Sequence, residues 1–431
     1  MAHCIGIRRE DKNQWERRVP LIPDQVRALK GRGVDVVVQP SGIRVFPDSD
    51  YVAAGAEVAE DLSACNAVLA VKEIPEALFR EGGLYVFFSH TIKGQQDNMP
   101  MLARLIELGC TLIDYEKIAD EAGRRLVFFG RHAGLAGMID TLWAFGQRMA
   151  AGGIVTPLTE IVPAHCYRDL ADAKARIAEV GKRLSAEGVP ERLRPLVCGF
   201  TGYGNVSSGA QEIYDLLPGE EISVGELGQV PAAADRVFKV VFHEEHLARP
   251  RDPGQGFELQ DYYDNPEKYE GVFESYLPCL TILVNCIYWT QKYPRLVTKR
   301  WVRETWAREE RPTLRVIGDI SCDIEGAVEV TLKATDPDSP VFVYEAATGE
   351  AVPGVQGHGP VVLAVDNLPC ELPVESSTSF GEALEPFLVA LAEVDRGQAF
   401  AACTLPPEVK RAVILWRGEL TPEFEYMRRF L

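Results

Sequence analysis

A chain of 431 residues is too long for one hydrophobic core and suggests about two or three domains of ordinary size. Its 46% hydrophobic and 25% charged residues are the composition of a soluble globular protein. The formal charge of −18 argues against an electrostatic grip on nucleic acid or anionic lipid, since both depend on clustered Lys and Arg, so neither partner is expected.

The opening residues have no apolar h-region and run straight into a strand pattern, so no signal peptide is expected. No apolar run approaches the roughly 18 residues of a membrane span; the longest, 277–289, is interrupted by Pro278, Thr281 and Asn285. Ten cysteines are scattered singly, and Cys4, Cys110, Cys198, Cys286 and Cys322 sit inside apolar strand-like runs. Buried free thiols in a reducing cytoplasm are therefore expected. The seven histidines lack HxxxH or HExxH spacing, so no metal is expected.

The first 150 residues alternate strand and helix. Apolar stretches at 4–7, 34–38, 67–71, 84–88 and 110–113 predict strands, 22–30 and 99–108 predict helices, and 124–129 predicts one more strand. Helical spacing over 136–149 predicts a connecting element, followed by a loop with Pro157 and Pro163 and an exposed helix over 170–184. The rhythm then resumes with predicted strands at 196–200, 221–224, 237–242, 281–287, 314–320 and 361–365. Residues 253–268 predict a surface excursion. Ser379-Phe-Gly-Glu382 has capping-box spacing ahead of a helix to about Val394, and Thr421-Pro422 predicts a last short helix. The expected fold is α/β, with Rossmann-like parallel sheets in a domain of 1–150 plus 366–431 and in a dinucleotide-binding domain of 151–365.

The stretch 194–217 reads as strand, tight turn and helix. Gly202 permits the turn, and Gly204 lets the backbone approach a pyrophosphate resting on the helix N-terminus. Ser207 stands where a third glycine is expected, with Gly209 and Ala210 just beyond. An ordinary strand-to-helix turn accounts for the same residues, so this stretch alone leaves nucleotide binding open.

Ligands of open α/β sheets bind beyond the carboxyl ends of the strands. In the first domain those ends carry Arg8 and Arg9, Lys72 and Glu73, His90, and Asp114, Tyr115 and Glu116. Lys72 follows an apolar run, so burial favours its neutral form while Glu73 and Glu116 oppose that. His90 is a histidine, the side-chain type suited to proton transfer near neutral pH. A solvated turn lysine, a packing histidine and a charged turn at Arg17 and Arg18 are the plainer alternatives. Asp319, an acid inside an apolar strand pattern, is costly unless it has a partner or ligand.

Several motifs carry a resemblance over most of the chain: Ile5-Gly-Ile-Arg-Arg-Glu-Asp-Lys-Asn-Gln-Trp-Glu-Arg-Arg-Val-Pro-Leu21, Phe88-Ser-His-Thr-Ile-Lys-Gly-Gln95, Leu112-Ile-Asp-Tyr-Glu-Lys117, Ala133-Gly-Leu-Ala-Gly-Met138, Phe200-Thr-Gly-Tyr-Gly-Asn-Val-Ser-Ser-Gly-Ala-Gln211, Asn285-Cys-Ile-Tyr-Trp289 with Pro294-Arg-Leu296, Gly318-Asp-Ile-Ser321 and Asp366-Asn-Leu-Pro-Cys-Glu-Leu-Pro373. Together they resemble lysine-ketoglutarate reductase, the N-terminal half of bifunctional aminoadipate semialdehyde synthase. The wider family includes lysine-forming saccharopine dehydrogenase, alanine dehydrogenase and transhydrogenase. The resemblance implies two Rossmann-like domains with an interdomain cleft, the first completed by the C-terminal segment, and a free-standing reductase. It implies acid/base roles for Lys72 and His90 and carboxylate binding by Arg18 and Arg125, with Lys93, Glu73 and Glu116 as charge partners. It also implies dinucleotide contacts at Gly202, Tyr203, Gly204, Asn205, Val206 and Ile287, with Asp319 near the nicotinamide.

The implied reaction joins L-lysine and 2-oxoglutarate and reduces their imine with NADPH, reversibly, to saccharopine. Glu220 and Glu221, about 20 residues past the glycine turn with no adjacent Arg, point instead to a ribose acid and NAD. The alternatives are an NAD-dependent or opine-type relative using another amine or keto acid, and a nonenzymatic nucleotide-sensing protein. The sequence sets no expectation for oligomeric state.

Overall fold

A computed structural model of the chain describes residues 3–431. The chain divides into two compact units, Met1–Phe129 with Pro373–Leu431, and Gly130–Leu372. Each contains one eight-stranded sheet.

In the first unit the strand order is Glu419–Leu420, Val413–Trp416, Thr111–Asp114, Leu84–Phe87, Ala67–Leu69, Cys4–Ile7, Asp35–Val38 and Glu57–Val58. The six strands from the first segment are parallel. Of the two from the C-terminal segment, Val413–Trp416 pairs antiparallel with both Thr111–Asp114 and Glu419–Leu420. All four residues of Cys4–Ile7 and of Leu84–Phe87 are buried, as near-continuous apolar runs in a sheet covered on both faces require. In the second unit the order is Glu350–Pro353, Val341–Glu345, Val361–Leu363, Val316–Asp319, Ile282–Asn285, Val197–Thr201, Val237–Phe242 and Gly219–Glu221. Only Val341–Glu345 runs against the rest, pairing antiparallel with both Glu350–Pro353 and Val361–Leu363. Among the described residues no helix is long and apolar enough to cross a membrane.

Several expectations change. The first crossover between units falls at 129/130 and the second at 372/373, not at 150 and 366. The helix Gly130–Ala151 belongs wholly to the second unit because its apolar residues Leu135, Ile139, Leu142 and Phe145 are buried in that core. A Cβ at Gly134 would lie 1.9 Å from the Val206 carbonyl oxygen, and one at Gly209 would lie 2.1 Å from that of Arg131. The two helices therefore meet backbone to backbone, which accounts for Gly134 and for the displaced third glycine of the turn.

Residues 124–129 form no strand beyond a single bridge between Ala119 and Arg125. The sheet edge beside Thr111–Asp114 is taken by Val413–Trp416, and Phe129 instead stacks on Phe380 at 4.8 Å. Ser379 lies inside a helix that already begins at Pro373, and so is not at its N-terminus. The predicted strand at 221–224 is displaced to Gly219–Glu221, and the segment after Thr421 is a 3₁₀ helix, Pro422–Phe430.

Candidate active site

In the first unit four adjacent strand ends place charged groups at one sheet edge. Cys4–Ile7 leads into Arg8, Arg9 and Glu10, Ala67–Leu69 into Lys72 and Glu73, Leu84–Phe87 into His90, and Thr111–Asp114 into Glu116. Glu73 accepts from His90 Nδ1 at 2.5 Å and from Lys12 Nζ at 2.9 Å. Burial pushes the Glu73 carboxyl up, but the His90 and Lys12 contacts outweigh it and hold the group at about 2. An ionised Glu73 fixes the proton on Nδ1 and leaves Nε2 as the ring atom that exchanges one.

The backbone around His90 is held in an uncommon form. His90 has φ 48°, in the left-handed region. Its carbonyl accepts from Asn98 Nδ2 at 3.2 Å. Ser89 just before it is tied to the buried Asp114 through its N–H, at 3.1 Å, and its hydroxyl. These bonds over-determine the conformation, which is how a strained residue persists at a site.

Lys72 is half-buried. Burial lowers its ammonium pKa, Arg18 and Lys12 lower it further, and Glu16 and Glu73 act in the opposite sense. The strand end that carries it is held by Glu10, whose carboxylate accepts from the N–H groups of Val71 at 2.7 Å and Lys72 at 3.0 Å. Glu10 is itself pushed up to about 7 by burial and by Glu16, against those two bonds. Sequence reasoning missed Glu10 and Glu16. Both lie in the 5–21 motif, but only the neighbouring placement of two strands 61 residues apart gives Glu10 its work.

Arg18 is buried, with Nε and Nη2 bonded to Glu16 at 2.7 and 2.5 Å and the guanidinium 4.4 Å over the Phe129 ring. Two of its three nitrogens are thus committed to an internal carboxylate. Arg125 has Nη1 3.7 Å from Glu116 Oε1 and its guanidinium carbon 6.0 Å from the centre of the Phe88 ring. Lys93 is an exposed cation on the turn that follows His90.

The second unit contributes the glycine turn. Gly202 has φ 83°, donates its N–H to the Phe242 carbonyl at 2.9 Å and faces Ile287, whose Cγ2 would lie 3.0 Å from an added Cβ. Gly204 is the N-cap of the helix Asn205–Tyr214, has no side-chain cap, and has nothing within 4 Å of where its Cβ would be. Open space before uncapped N–H groups of Asn205 and Val206 fits a pyrophosphate. A cavity of about 410 Å³ is lined by Gly202, Tyr203, Gly204, Glu244, Ile287 and Trp289 among others. Asp319 is buried and accepts from Asn285 Nδ2 at 2.8 Å and Thr331 Oγ1 at 2.5 Å; burial still raises it to about 6. The expected partner of this acid is therefore an internal pair of donors.

Glu221 requires a correction. It lies on the outermost strand, separated from the glycine-turn strand Val197–Thr201 by Val237–Phe242, and its carboxylate is 3.2 Å from Lys239 Nζ. The chain leaves the helix Asn205–Tyr214 for the outer position and returns to fill the inner one, so spacing along the sequence points to the wrong strand end.

Residues 6–136 match the family described as Alanine dehydrogenase/PNT, N-terminal domain. The chain is 37% identical over 445 residues to alpha-aminoadipic semialdehyde synthase of Arabidopsis thaliana, covering 99% of this chain and 41% of that protein. It is 36% identical to the mitochondrial alpha-aminoadipic semialdehyde synthase of Bos taurus, with 99% and 47% covered. Against saccharopine dehydrogenase [NAD(+), L-lysine-forming] of Yarrowia lipolytica the identity is 29%, with 91% and 93% covered. The chain is a homologue of these proteins. It spans less than half the length of the synthases it matches. The resemblance read from the motifs thus extends along the whole sequence. In structure it is similar to L-alanine dehydrogenase, with TM-score 0.63, 20% identity and 99% of both chains covered. It is also similar to transhydrogenase from Sinorhizobium meliloti, with TM-score 0.54, 16% identity and 97% and 100% covered. These two likenesses establish the two-domain α/β fold.

Proposed function

We propose that the chain joins the ε-amine of L-lysine to the keto carbon of 2-oxoglutarate and reduces the resulting imine to saccharopine, with the reverse reaction open to it. The observation that carries this proposal is the Glu73–His90 pair beside the half-buried, pKa-lowered Lys72 on adjoining strand ends. A reduced nicotinamide dinucleotide, when bound, supplies the hydride. Gly202, Gly204 and the N–H groups of Asn205 and Val206 hold its pyrophosphate. His90 Nε2 takes a proton from the ε-ammonium of lysine, freeing the amine that attacks the keto carbon. The Lys72 ammonium gives a proton to the carbinolamine hydroxyl, which leaves as water. Arg125 and Lys93 meet substrate carboxylates, while Arg18, held by Glu16, keeps positive charge near Lys72 and so lowers its pKa.

NADPH is the proposed reductant, following the motif resemblance to the ketoglutarate reductases. The second choice, NADH, is favoured by a carboxylate, Glu244, beside the glycine turn and by the NAD(+) in the names of the shorter relatives. A cytoplasmic location is part of the proposal and is supported by ten free cysteines. A nonenzymatic sensor finds no support among homologues named as synthases and dehydrogenases.

The test follows the loss of reduced-dinucleotide absorbance with L-lysine and 2-oxoglutarate together and separately, using NADPH and NADH in parallel, and identifies the product by mass spectrometry. Saccharopine formed only with both substrates is expected. No saccharopine with either dinucleotide would overturn the proposal, and turnover of a different amine or keto acid in a substrate panel would replace it with the opine-type alternative.

A further inference from the structure

In a doubly wound sheet the adenosine ribose of a dinucleotide falls at the carboxyl end of the strand next to the glycine-turn strand. Here that neighbour is Val237–Phe242, paired in register so that Thr201 lies opposite Phe242, and the Gly202 N–H donates to the Phe242 carbonyl at 2.9 Å. The next residues are His243 and Glu244. The His243 ring stacks on Tyr203, the residue between the two glycines, at 4.4 Å and 20°. Glu244 is held from two sides. Its Oε2 accepts from Tyr203 Oη at 3.3 Å and its Oε1 from Tyr263 Oη at 2.6 Å. Glu244 and the two glycines line the same cavity. The acids that spacing alone nominates are engaged elsewhere, Glu220 with Arg236 at 2.9 Å and Glu221 with Lys239 at 3.2 Å.

We propose that Glu244 is the residue that discriminates NAD from NADP. This rests on the dinucleotide lying at the glycine turn. Each Glu244 oxygen has a lone pair left after its tyrosine bond, so the carboxylate accepts from a ribose 2′-hydroxyl. A 2′-phosphate in the same place brings like charges together and is opposed. The two tyrosines position the carboxylate and limit its retreat from a phosphate. Whichever dinucleotide the protein prefers, Glu244 moves its ratio of affinities toward the unphosphorylated form.

The test titrates NADH and NADPH, by the fluorescence of the reduced nicotinamide, against the intact protein and its Glu244→Gln, Tyr263→Phe and Glu221→Gln variants. Glutamine keeps the shape and can still accept a tyrosine bond, and circular dichroism checks that each variant is folded. Glu244→Gln is expected to move the ratio of the two dissociation constants toward NADPH by about tenfold or more, the scale of losing one close charge–charge contact. Tyr263→Phe should move it the same way by less, and Glu221→Gln should leave it unchanged. Both dinucleotides binding with a ratio unaltered by Glu244→Gln, or a ratio shifted by Glu221→Gln, would overturn the assignment while leaving the dinucleotide site intact. Failure of the unaltered protein to bind either dinucleotide would remove the site itself.

Discussion

Both units carry an eight-stranded sheet with a parallel core, yet they furnish the loops after those strands with opposite materials. The strand ends of the first unit present ionisable side chains: Glu10, Lys72, Glu73, His90 and Glu116. Those of the second present glycine, backbone N–H groups and aromatic rings, with Glu244 tied down by two tyrosines. Proton transfer needs groups whose pKa can be moved toward neutrality, and burial beside charges does that for Lys72. Holding a polyphosphate needs close backbone approach and oriented dipoles, which side chains would obstruct. Under the proposed function, one architecture thus serves as a reacting surface and as a gripping surface, depending on which residues furnish the strand ends.

The largest expected effect comes from removing a proposed reacting group. Lys72→Met should lower turnover by roughly 10²-fold or more, the usual scale for losing a general acid–base group, while dinucleotide affinity stays put. Steady-state rates and a fluorescence titration on the same preparation check both halves. Unchanged turnover would remove Lys72 from the mechanism, and a loss of dinucleotide affinity would mean that the division of labour between the units is wrong.

The complementary change is Gly204→Ala. Nothing in the protein lies within 4 Å of the new methyl, and the φ of −80° suits alanine, so the fold should tolerate it. The methyl does occupy the approach of a pyrophosphate. A steric overlap of about 1–2 kcal/mol predicts dinucleotide binding weakened roughly tenfold with an unchanged melting temperature. Calorimetric titration and thermal unfolding separate the two, and undiminished affinity would place the pyrophosphate elsewhere.

These two sites were legible to different degrees in the sequence. Lys72, Glu73, His90 and Glu116 could be found because each directly follows an apolar run, and parallel strands buried on both faces announce themselves that way. Glu10, Glu16 and Glu244 could not, since their roles depend on which strands become neighbours and on how a loop closes. Glu221 was chosen for the same reason that Glu244 was missed: spacing assumes that the second strand of the motif lies beside the first, and here the third does. The antiparallel edges also escaped notice. Val413–Trp416 and Glu419–Leu420 are joined through Arg417 and Gly418, with φ of 54° and 81°, a two-residue turn whose first position lacks the usual Asn or Asp. Val341–Glu345 and Glu350–Pro353 did leave a cue in Gly349, with φ 75°, just ahead of the second strand.

The smallest expected effect lies in the second unit, where ionisable groups are buried without a place in the proposed reaction. Asp140 and Glu371 are both buried, and Glu371 Oε2 is 3.1 Å from His165 Nδ1. Among the described residues Asp140 Oδ2 and Glu371 Oε1 have no hydrogen-bond donor. Burial raises both carboxyls, Glu371 to about 7, and the nearby Glu371 raises Asp140 further. A proton shared between them satisfies both oxygens. A carboxyl whose folded pKa exceeds its unfolded one stabilises the fold below the unfolded value and loses that contribution as pH rises through the folded value. Glu371 therefore costs stability progressively between about pH 4.5 and 7. Glu371→Gln can donate from its amide at any pH, so it should raise the melting temperature at pH 8 by about 2–4 °C, the scale of ~1 kcal/mol in a unit of this size, and change it little at pH 5. Unfolding scans of both proteins across that range measure the difference. An equal shift at both pH values would mean that packing, and not the shared proton, explains it.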